Sequence, residues 1–163
     1  MQYRDYGNEG YKVSAFGMGC MRVPHVKDEH GNKIIQREEA IKMIRYAADH
    51  GVTYFDSARM YFNGDCDALL GEALAGGYRE KVKVVSKIPP RFVNSEEEFN
   101  NTLDDMLKKL QTDYLDVLLA HDMNREAWNR FQQMGMYQWM EKAKQAGKIK
   151  AIGFSFHDDV DLF

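Results

Sequence analysis

Five polar residues stand out by their spacing, and four of them, a tyrosine, a lysine, an aspartate and a histidine, suit proton transfer to a carbonyl oxygen. Four of the five end successive apolar runs, at intervals of 31, 34 and 34 residues: Asp56, Lys87, His121 and Ser155. Tyr61 follows the first of these by five residues. A nearby ammonium favours the phenolate form of a tyrosine and so assists release of its proton, while a carboxylate keeps that ammonium charged and in place.

These residue types predict a separate role for each residue. Tyr61 suits the role of general acid, Lys87 would lower the pKa of its hydroxyl, and Asp56 would hold the Lys87 ammonium in place. A neutral His121 would add a donor that fixes the carbonyl oxygen. The hydride that reaches the carbonyl carbon has to come from a cofactor, because no side chain can supply one.

The regular spacing indicates how the fold positions these groups. An interval of 31–34 residues holds one strand, one helix and two short loops. Polar groups at the carboxyl ends of successive parallel strands form the active sites of β/α barrels. The sequence therefore predicts an α/β protein of the (β/α)8 TIM-barrel type.

Apolar periodicity and turn residues predict the elements. Residues 1–14 form a hairpin, residues 15–163 form βα units, and residues 22–36 form a polar loop. Ser95 and Glu98 make a capping box that starts the third helix. The predicted strands are 13–18, 52–55, 82–86, 114–119 and 149–153, and the other helices are 37–50, 65–75 and a helical segment within 125–146.

Five strands and four helices make an incomplete barrel, because a closed one needs eight strands and about 250 residues. Such a sheet has two open edges with unpaired backbone groups. We therefore expect residues 1–163 to be the N-terminal portion of a single barrel domain. A longer polypeptide carrying the missing C-terminal half, favoured because the chain stops just after a strand-end motif, or a second chain would close the sheet.

Composition excludes several function classes. The chain has 163 residues, 44% hydrophobic and 29% charged, with a net charge of −3, so it offers no basic patch for nucleic acid. No apolar run approaches the ~20 residues needed to cross a membrane, and the polar N-terminus has no signal-peptide core. The histidines lack metal-ligand spacing, and two cysteines make no disulfide framework. We expect a cytoplasmic protein without a metal site.

Several stretches together resemble one family. They are Gly-Val-Thr-Tyr-Phe-Asp-Ser-Ala at 51–58 with Tyr61, Leu-Gly-Glu-Ala-Leu at 70–74, Val-Val-Ser-Lys at 84–87, Asp-Tyr-Leu-Asp-Val-Leu-Leu-Ala-His at 113–121 and Gly-Lys-Ile-Lys-Ala-Ile-Gly-Phe-Ser at 147–155. In this order, and over nearly the whole chain, they resemble the aldo-keto reductases. These enzymes reduce small carbonyl compounds with NADPH on a (β/α)8 barrel.

The resemblance implies the site residues and the cofactor. The catalytic tetrad would be Asp56, Tyr61, Lys87 and His121. The nicotinamide of NADPH would lie against Asp56, Ser155 and the backbone of Gly19, Cys20 and Met21. The family often has Ser-Asn after the fifth strand, whereas this chain has Ser-Phe-His at 155–157, so only the serine carries over. The family's main diphosphate and adenosine-phosphate contacts come from the last strands and loops, which this chain lacks.

The Gly-Phe-Ser-Phe-His run at 153–157 and the opening Met-Gln-Tyr-Arg are similar to a bacterial branch that often carries a C-terminal iron–sulfur domain. Such a cluster needs a set of four cysteines. An iron–sulfur cluster is therefore expected only if a further domain supplies them.

Alternatives remain for single residues and for the whole chain. Taken singly, each tetrad residue has an ordinary structural interpretation. Asp56 could be an ion-pair partner or a helix cap, and Tyr61 a loop aromatic. Lys87 could be a solvated lysine, and His121 a loop histidine. Cys20 is interpreted as a small packing residue and Asp116 as structural. The alternative function is a catalytically silent truncated barrel that acts as a binding or regulatory module.

Overall fold

A five-stranded parallel sheet forms the centre of the molecule, with helices on one face and two small hairpins beside it. This computed structural model describes all residues from 1 to 163. The strands are β1 (Tyr3–Asp5), β2 (Lys12–Ser14), β3 (Met18–Gly19), β4 (His25–Lys27), β5 (Lys33–Ile35), β6 (Tyr54–Asp56), β7 (Lys83–Ile88), β8 (Leu115–Met123) and β9 (Ile149–Phe156). The helices are α1 (Arg37–Asp49), α2 (Asp65–Leu74), α3 (Glu96–Leu110), α4 (Arg125–Met134) and α5 (Met136–Gln145).

The strand order in the sheet is β3-β6-β7-β8-β9, and all neighbours are parallel. This order follows the chain, as expected of successive βα units. The sheet is open, with β3 and β9 at its edges. Parallel pairing brings the carboxyl ends of all five strands to one edge of the sheet, where the predicted site residues lie.

The two faces of the sheet have different surroundings. A core cluster of 29 buried residues fills the space between the helices and one face. On the other face a smaller cluster of Val85, Val117 and Ala151 packs against Tyr6 and Tyr54. Each large apolar side chain that is fully buried contributes about 1.5–3 kcal/mol. Both faces are thus apolar, which explains why the strands read as continuous hydrophobic runs.

The N-terminal hairpin of β1 and β2 is confirmed, and it is fastened to the amino end of the sheet. The amide of Ser14 donates to Thr53 Oγ1 (2.8 Å), and the amide of Thr53 donates to Ser14 Oγ (2.9 Å). Nearby, the buried Asp116 accepts a hydrogen bond from the amide of Val84 (2.9 Å). It also pairs with Arg79 at 3.0 Å and with Lys83 at 3.1 Å. Asp116 is therefore structural, and it lies at the end of β8 opposite to His121.

One predicted loop and one predicted strand differ from the structure. The segment 22–36, predicted as a polar loop, contains the antiparallel hairpin of β4 and β5. Its turn is built on Asp28, which accepts hydrogen bonds from the amides of His30 and Asn32. The strand predicted over 13–18 is wrong, because its first residues belong to β2 and only Met18–Gly19 pair with β6.

The helix count also changes from four to five. The segment within 125–146 is two helices, because Gly135 adopts a left-handed φ of 68° that ends α4. Strand β8 runs past its predicted end at residue 119 to Met123, with an irregularity between Ala120 and Met123. No helix of the chain has both the length and the apolar character needed to span a membrane.

Gly71 gives a test of how closely α2 and α3 pack. A Cβ at this position would collide with the Lys109 carbonyl oxygen and lie 2.8 Å from the carbonyl carbon of Leu110. Overpacking of this kind costs about 1–3 kcal/mol, whereas alanine gains about 1 kcal/mol over glycine in a helix. We predict that Gly71→Ala lowers the free energy of unfolding in urea titrations.

The matched control is Ala68→Gly on the half-buried side of the same helix. It should cost only the ordinary propensity difference of about 1 kcal/mol. An increase in stability for Gly71→Ala would contradict the close approach of the two helices.

Candidate active site

Lys87 is the centre of the polar cluster at the carboxyl edge of the sheet. Its ammonium forms an ion pair with Asp56 Oδ1 and donates to the carbonyl oxygen of Ser57 at 2.7 Å. It also lies 3.4 Å from the hydroxyl of Tyr61. The lysine is buried, and a buried ammonium is tolerated only when it is paired and hydrogen-bonded. The contacts of Lys87 satisfy this requirement.

Tyr61 is placed by a tight turn after β6. The residue begins a short 3₁₀ turn over Tyr61–Gly64, in which Phe62 and Asn63 have left-handed φ values of 50° and 55°. This turn reverses the chain and leads directly into α2. The ring of Tyr61 lies edge-on to His121, with ring centroids 5.7 Å apart and an interplanar angle of 81°. The predicted tetrad residues are therefore neighbours in space.

His121 is a buried and uncharged member of this cluster. Its Nδ1 atom is buried without a hydrogen-bond partner. Burial lowers the pKa of His121 to about 4, and the positive charge of Lys87 acts in the same direction. Three other groups that face the ring have smaller effects. Asp122 raises the pKa of His121, and Arg91 and His157 lower it. At neutral pH the imidazole is neutral and has one N–H to donate.

The residues predicted to hold a nicotinamide beside Asp56 differ in how accessible they are. Gly19 pairs with Asp56 in the sheet, and a Cβ built on it would meet no atom within 4 Å. Met21 is exposed, but the thiol of Cys20 is buried away from the surface. The thiol of Cys66 donates to the Cys20 carbonyl oxygen at 3.3 Å. Cys20 is thus a packing residue, and its thiol is not free to contact a ligand.

Ser155 already has a role within the protein. Its hydroxyl oxygen accepts a hydrogen bond from the amide of Asp122 at 2.8 Å. Asp122 has a left-handed φ of 61° and forms an ion pair with Arg91 at 2.9 Å. The serine therefore supports the turn that follows His121, and its own O–H remains able to donate. No group of three or more His, Cys, Asp or Glu side chains is arranged to hold a metal ion.

A second buried polar cluster at this edge was not predicted from the sequence. Oδ1 of Asp67 accepts hydrogen bonds from the hydroxyls of Ser57 (2.6 Å) and Ser86 (3.1 Å). The available signal was helical spacing, because Asp67 lies three and seven residues before Leu70 and Leu74 on the apolar stripe of α2. An acid on such a stripe indicates a buried carboxyl with partners.

The lowered pKa of His121 generates a prediction about pH. Its value of about 4 in the folded protein lies below the ordinary value of about 6.5. Between these values the unfolded chain binds more protons, so the free energy of unfolding should fall as the pH drops from 6.5 through 4. Urea titrations at several pH values, with NMR titration of the imidazole, measure this. His121→Gln should show a shallower dependence, and an NMR midpoint at or above 6.5 would contradict the described environment.

Comparisons with known proteins give the family. The model of the "Aldo/keto reductase family" matches residues 16–162. The chain is 34% identical over 132 residues to a methylglyoxal reductase of Escherichia coli, covering 81% of this chain and 44% of that enzyme. The chain thus spans less than half the length of that relative.

Solved structures show the same relationship in three dimensions. An aldo-keto reductase from Klebsiella pneumoniae in complex with NADPH is 29% identical, with a TM-score of 0.75 over 94% of this chain and 49% of that one. The holo form of an aldo-keto reductase from Bacillus halodurans shares the fold, with a TM-score of 0.78 at 24% identity over 96% of this chain and 50% of that one. The prediction of an incomplete TIM-barrel fold is confirmed, and the chain belongs to the aldo-keto reductase family.

Proposed function

We propose that this chain carries the catalytic half of an NADPH-dependent oxidoreductase that reduces an aldehyde or a ketone. The observation that supports the proposal is the contact of the buried Lys87 ammonium with both the Asp56 carboxylate and the Tyr61 hydroxyl, which are partly exposed. Family membership and the NADPH bound to the Klebsiella enzyme agree with it.

In the proposed mechanism each residue acts at a stated atom. NADPH, when bound, supplies a hydride to the carbonyl carbon. The Tyr61 hydroxyl donates its proton to the carbonyl oxygen, so that the product is an alcohol and the tyrosine is left as a phenolate. The Lys87 ammonium stabilises this phenolate, and Asp56 holds the ammonium in place. Water then returns a proton to Tyr61.

The substrate carbonyl is oriented by His121 in this proposal. The neutral ring lies edge-on to Tyr61, so one N–H can donate to the same oxygen that the phenol approaches. An imidazolium would place a second positive charge near Lys87, which the low pKa of about 4 avoids at neutral pH. Burial of His121 thus serves the proposed chemistry.

The nicotinamide end of the cofactor fits the residues around Asp56. The open space at Gly19 lets a flat ring approach the backbone of Gly19, Cys20 and Met21. The free O–H of Ser155 can donate to a carboxamide oxygen. The buried thiols of Cys20 and Cys66 are not available for an iron–sulfur cluster, which would need cysteines from a further domain.

The proposal includes residues 1–163 as the N-terminal portion of one barrel domain in a cytoplasmic protein. Strand β9 is an open edge, and it carries Phe154 with 53% of its surface exposed. A C-terminal barrel half or a second chain packed on this edge would bury such side chains. The alternative is a catalytically silent module that binds a partner or a nucleotide without turnover.

We predict that Tyr61→Phe lowers carbonyl reduction by about 10²–10⁴-fold, because it removes the proton donor. Cofactor binding should change little. Steady-state kinetics with a panel of aldehydes and ketones, in the protein that contains this chain, measure the effect. Tyr137→Phe, which removes a hydroxyl from an exposed residue of α5, is the matched control and should leave turnover unchanged. Near-normal turnover of Tyr61→Phe on every substrate would assign the acid to another group.

We also predict that NADPH binds the 163-residue chain weakly, because its proposed contacts lie at the nicotinamide end only. Isothermal calorimetry measures the dissociation constant, which should lie well above the micromolar range. Micromolar or tighter binding would show that the adenosine half is also held and that the proposed cofactor site is misplaced.

A further inference from the structure

Asp67 occupies an unusual position for an acid, on the buried side of α2 against the outer face of the sheet. The residue is fully buried. Its Oδ1 atom accepts hydrogen bonds from two serine hydroxyls, at 2.6 Å from Ser57 and 3.1 Å from Ser86. Its Oδ2 atom is buried without a partner. An apolar residue here would cost less to bury, so the carboxyl has to be explained by what it holds.

The two serines are sequence neighbours of the two charged residues in the site. Ser57 follows Asp56, and Ser86 precedes Lys87. Side chains alternate between the faces of a strand. The serines therefore point towards α2, and the carboxylate and ammonium point to the opposite face. On the α2 side of the sheet, Asp67 thus links the two strand ends whose other side chains, Asp56 and Lys87, form the ion pair.

The backbone makes this link tight. The carbonyl oxygen of Ser57 accepts a hydrogen bond from the Lys87 ammonium at 2.7 Å. The amide of Ser57 donates to the carbonyl oxygen of Val85 at 2.8 Å, and the amide of Arg59 donates to the carbonyl oxygen of Lys87 at 3.0 Å. A movement of Ser57 would therefore move two of the three partners of the ammonium, the Ser57 carbonyl oxygen and the neighbouring Asp56 carboxylate. The contact from Lys87 to Tyr61, at 3.4 Å, is the longest in the set and the first that such a movement would break.

We propose that Asp67 is a positioning residue, which acts through Ser57 and Ser86 to hold Lys87 within hydrogen-bond reach of Tyr61. The inference rests on the proposed function, because the contact that it protects matters for catalysis only if Tyr61 is the acid. Displacement of a catalytic group by about 1 Å can cost about 10²-fold in rate.

The electrostatic surroundings agree with a structural acceptor. Burial raises the pKa of Asp67, while the serine hydrogen bonds and the charges of Lys109 and Arg59 oppose that rise. The hydroxyls of Ser57 and Ser86 both donate to one acceptor oxygen at position 67. In Asp67→Asn the side-chain amide oxygen can accept these two hydrogen bonds in the same place. This difference between an acceptor and a charge allows a conservative variant to separate positioning from stability.

The first test needs neither substrate nor cofactor. The His121 imidazole senses the Lys87 ammonium, which contributes to its low pKa of about 4. In NMR titrations of the protein that contains this chain, Asp67→Ala should raise the His121 midpoint by about 0.5 pH unit or more, because the ammonium is no longer held nearby. Asp67→Asn should leave the midpoint at the parent value. If Asp67→Ala fails to fold, Ser57→Ala and Ser86→Ala each remove one link and should move the midpoint in the same direction.

Asp116→Asn is the matched control, since it alters a second buried carboxyl at the opposite end of the sheet. It should lower the melting temperature and leave the His121 midpoint unchanged. A set of variants in which Asp67→Ala lowers the melting temperature but leaves the midpoint unchanged would overturn the proposal, because Asp67 would then be a packing element only.

The second test measures turnover in the protein that contains this chain. Asp67→Ala should lower kcat by about 10–100-fold with less than about a twofold change in KM, and Asp67→Asn should restore most of it. An equal loss for both variants would overturn the proposal. A parent protein that reduces no carbonyl compound would refute the proposed function alone, and the NMR titration would still decide the role of Asp67.

Discussion

The burial of one ammonium group is the constraint on which the site depends. Lys87 ends a strand that is covered on both faces, so its charge has little access to water. Removing a charged group from water costs several kcal/mol unless partners replace the lost hydration. Asp56, the Ser57 carbonyl and the Tyr61 hydroxyl are those partners, and all three belong to one segment of six residues, 56–61. The strand β6 and its turn are therefore shaped around the lysine of the next strand.

This arrangement also determines the electrostatic character of the pocket. One carboxylate balances one ammonium, and the same ammonium helps to keep His121 neutral. The inner end of the site therefore carries little net charge, although all its polar groups are close together. An uncharged carbonyl can enter such a site without an unpaired ion being left behind. The neighbouring polar cluster of Asp67, Ser57 and Ser86 is fully buried.

The sequence predicted the elements whose signals are local. The cap at Ser95 is present, with the amide of Glu98 donating to its hydroxyl at 3.1 Å, but the predicted capping box is only half formed, because Glu98 Oε2 accepts from the amide of Asn94 and not from that of Ser95. The gathering of the tetrad was predicted because parallel strands end together. The extension of β8 past His121 was not, because it depends on the left-handed Asp122 and on the hydrogen bond that the Asp122 amide donates to Ser155 Oγ. The role of Asp67 was missed because its partners are 10 and 19 residues away.

The alternation of polar groups along β7 has a consequence for folding. A slip of this strand by one residue would exchange Val84 with Val85 and would also carry the buried Ile88 and the Lys83 ammonium to the opposite faces of the sheet. It would also turn Ser86 towards the pocket and bring the ammonium of Lys87 to Asp67, where a carboxyl could accept it. The slipped strand would also leave Asp56 without its cation. The buried polar groups thus add to the apolar residues in specifying one register of β7, so the ion pair of Lys87 and Asp56 also disfavours a misfolded form.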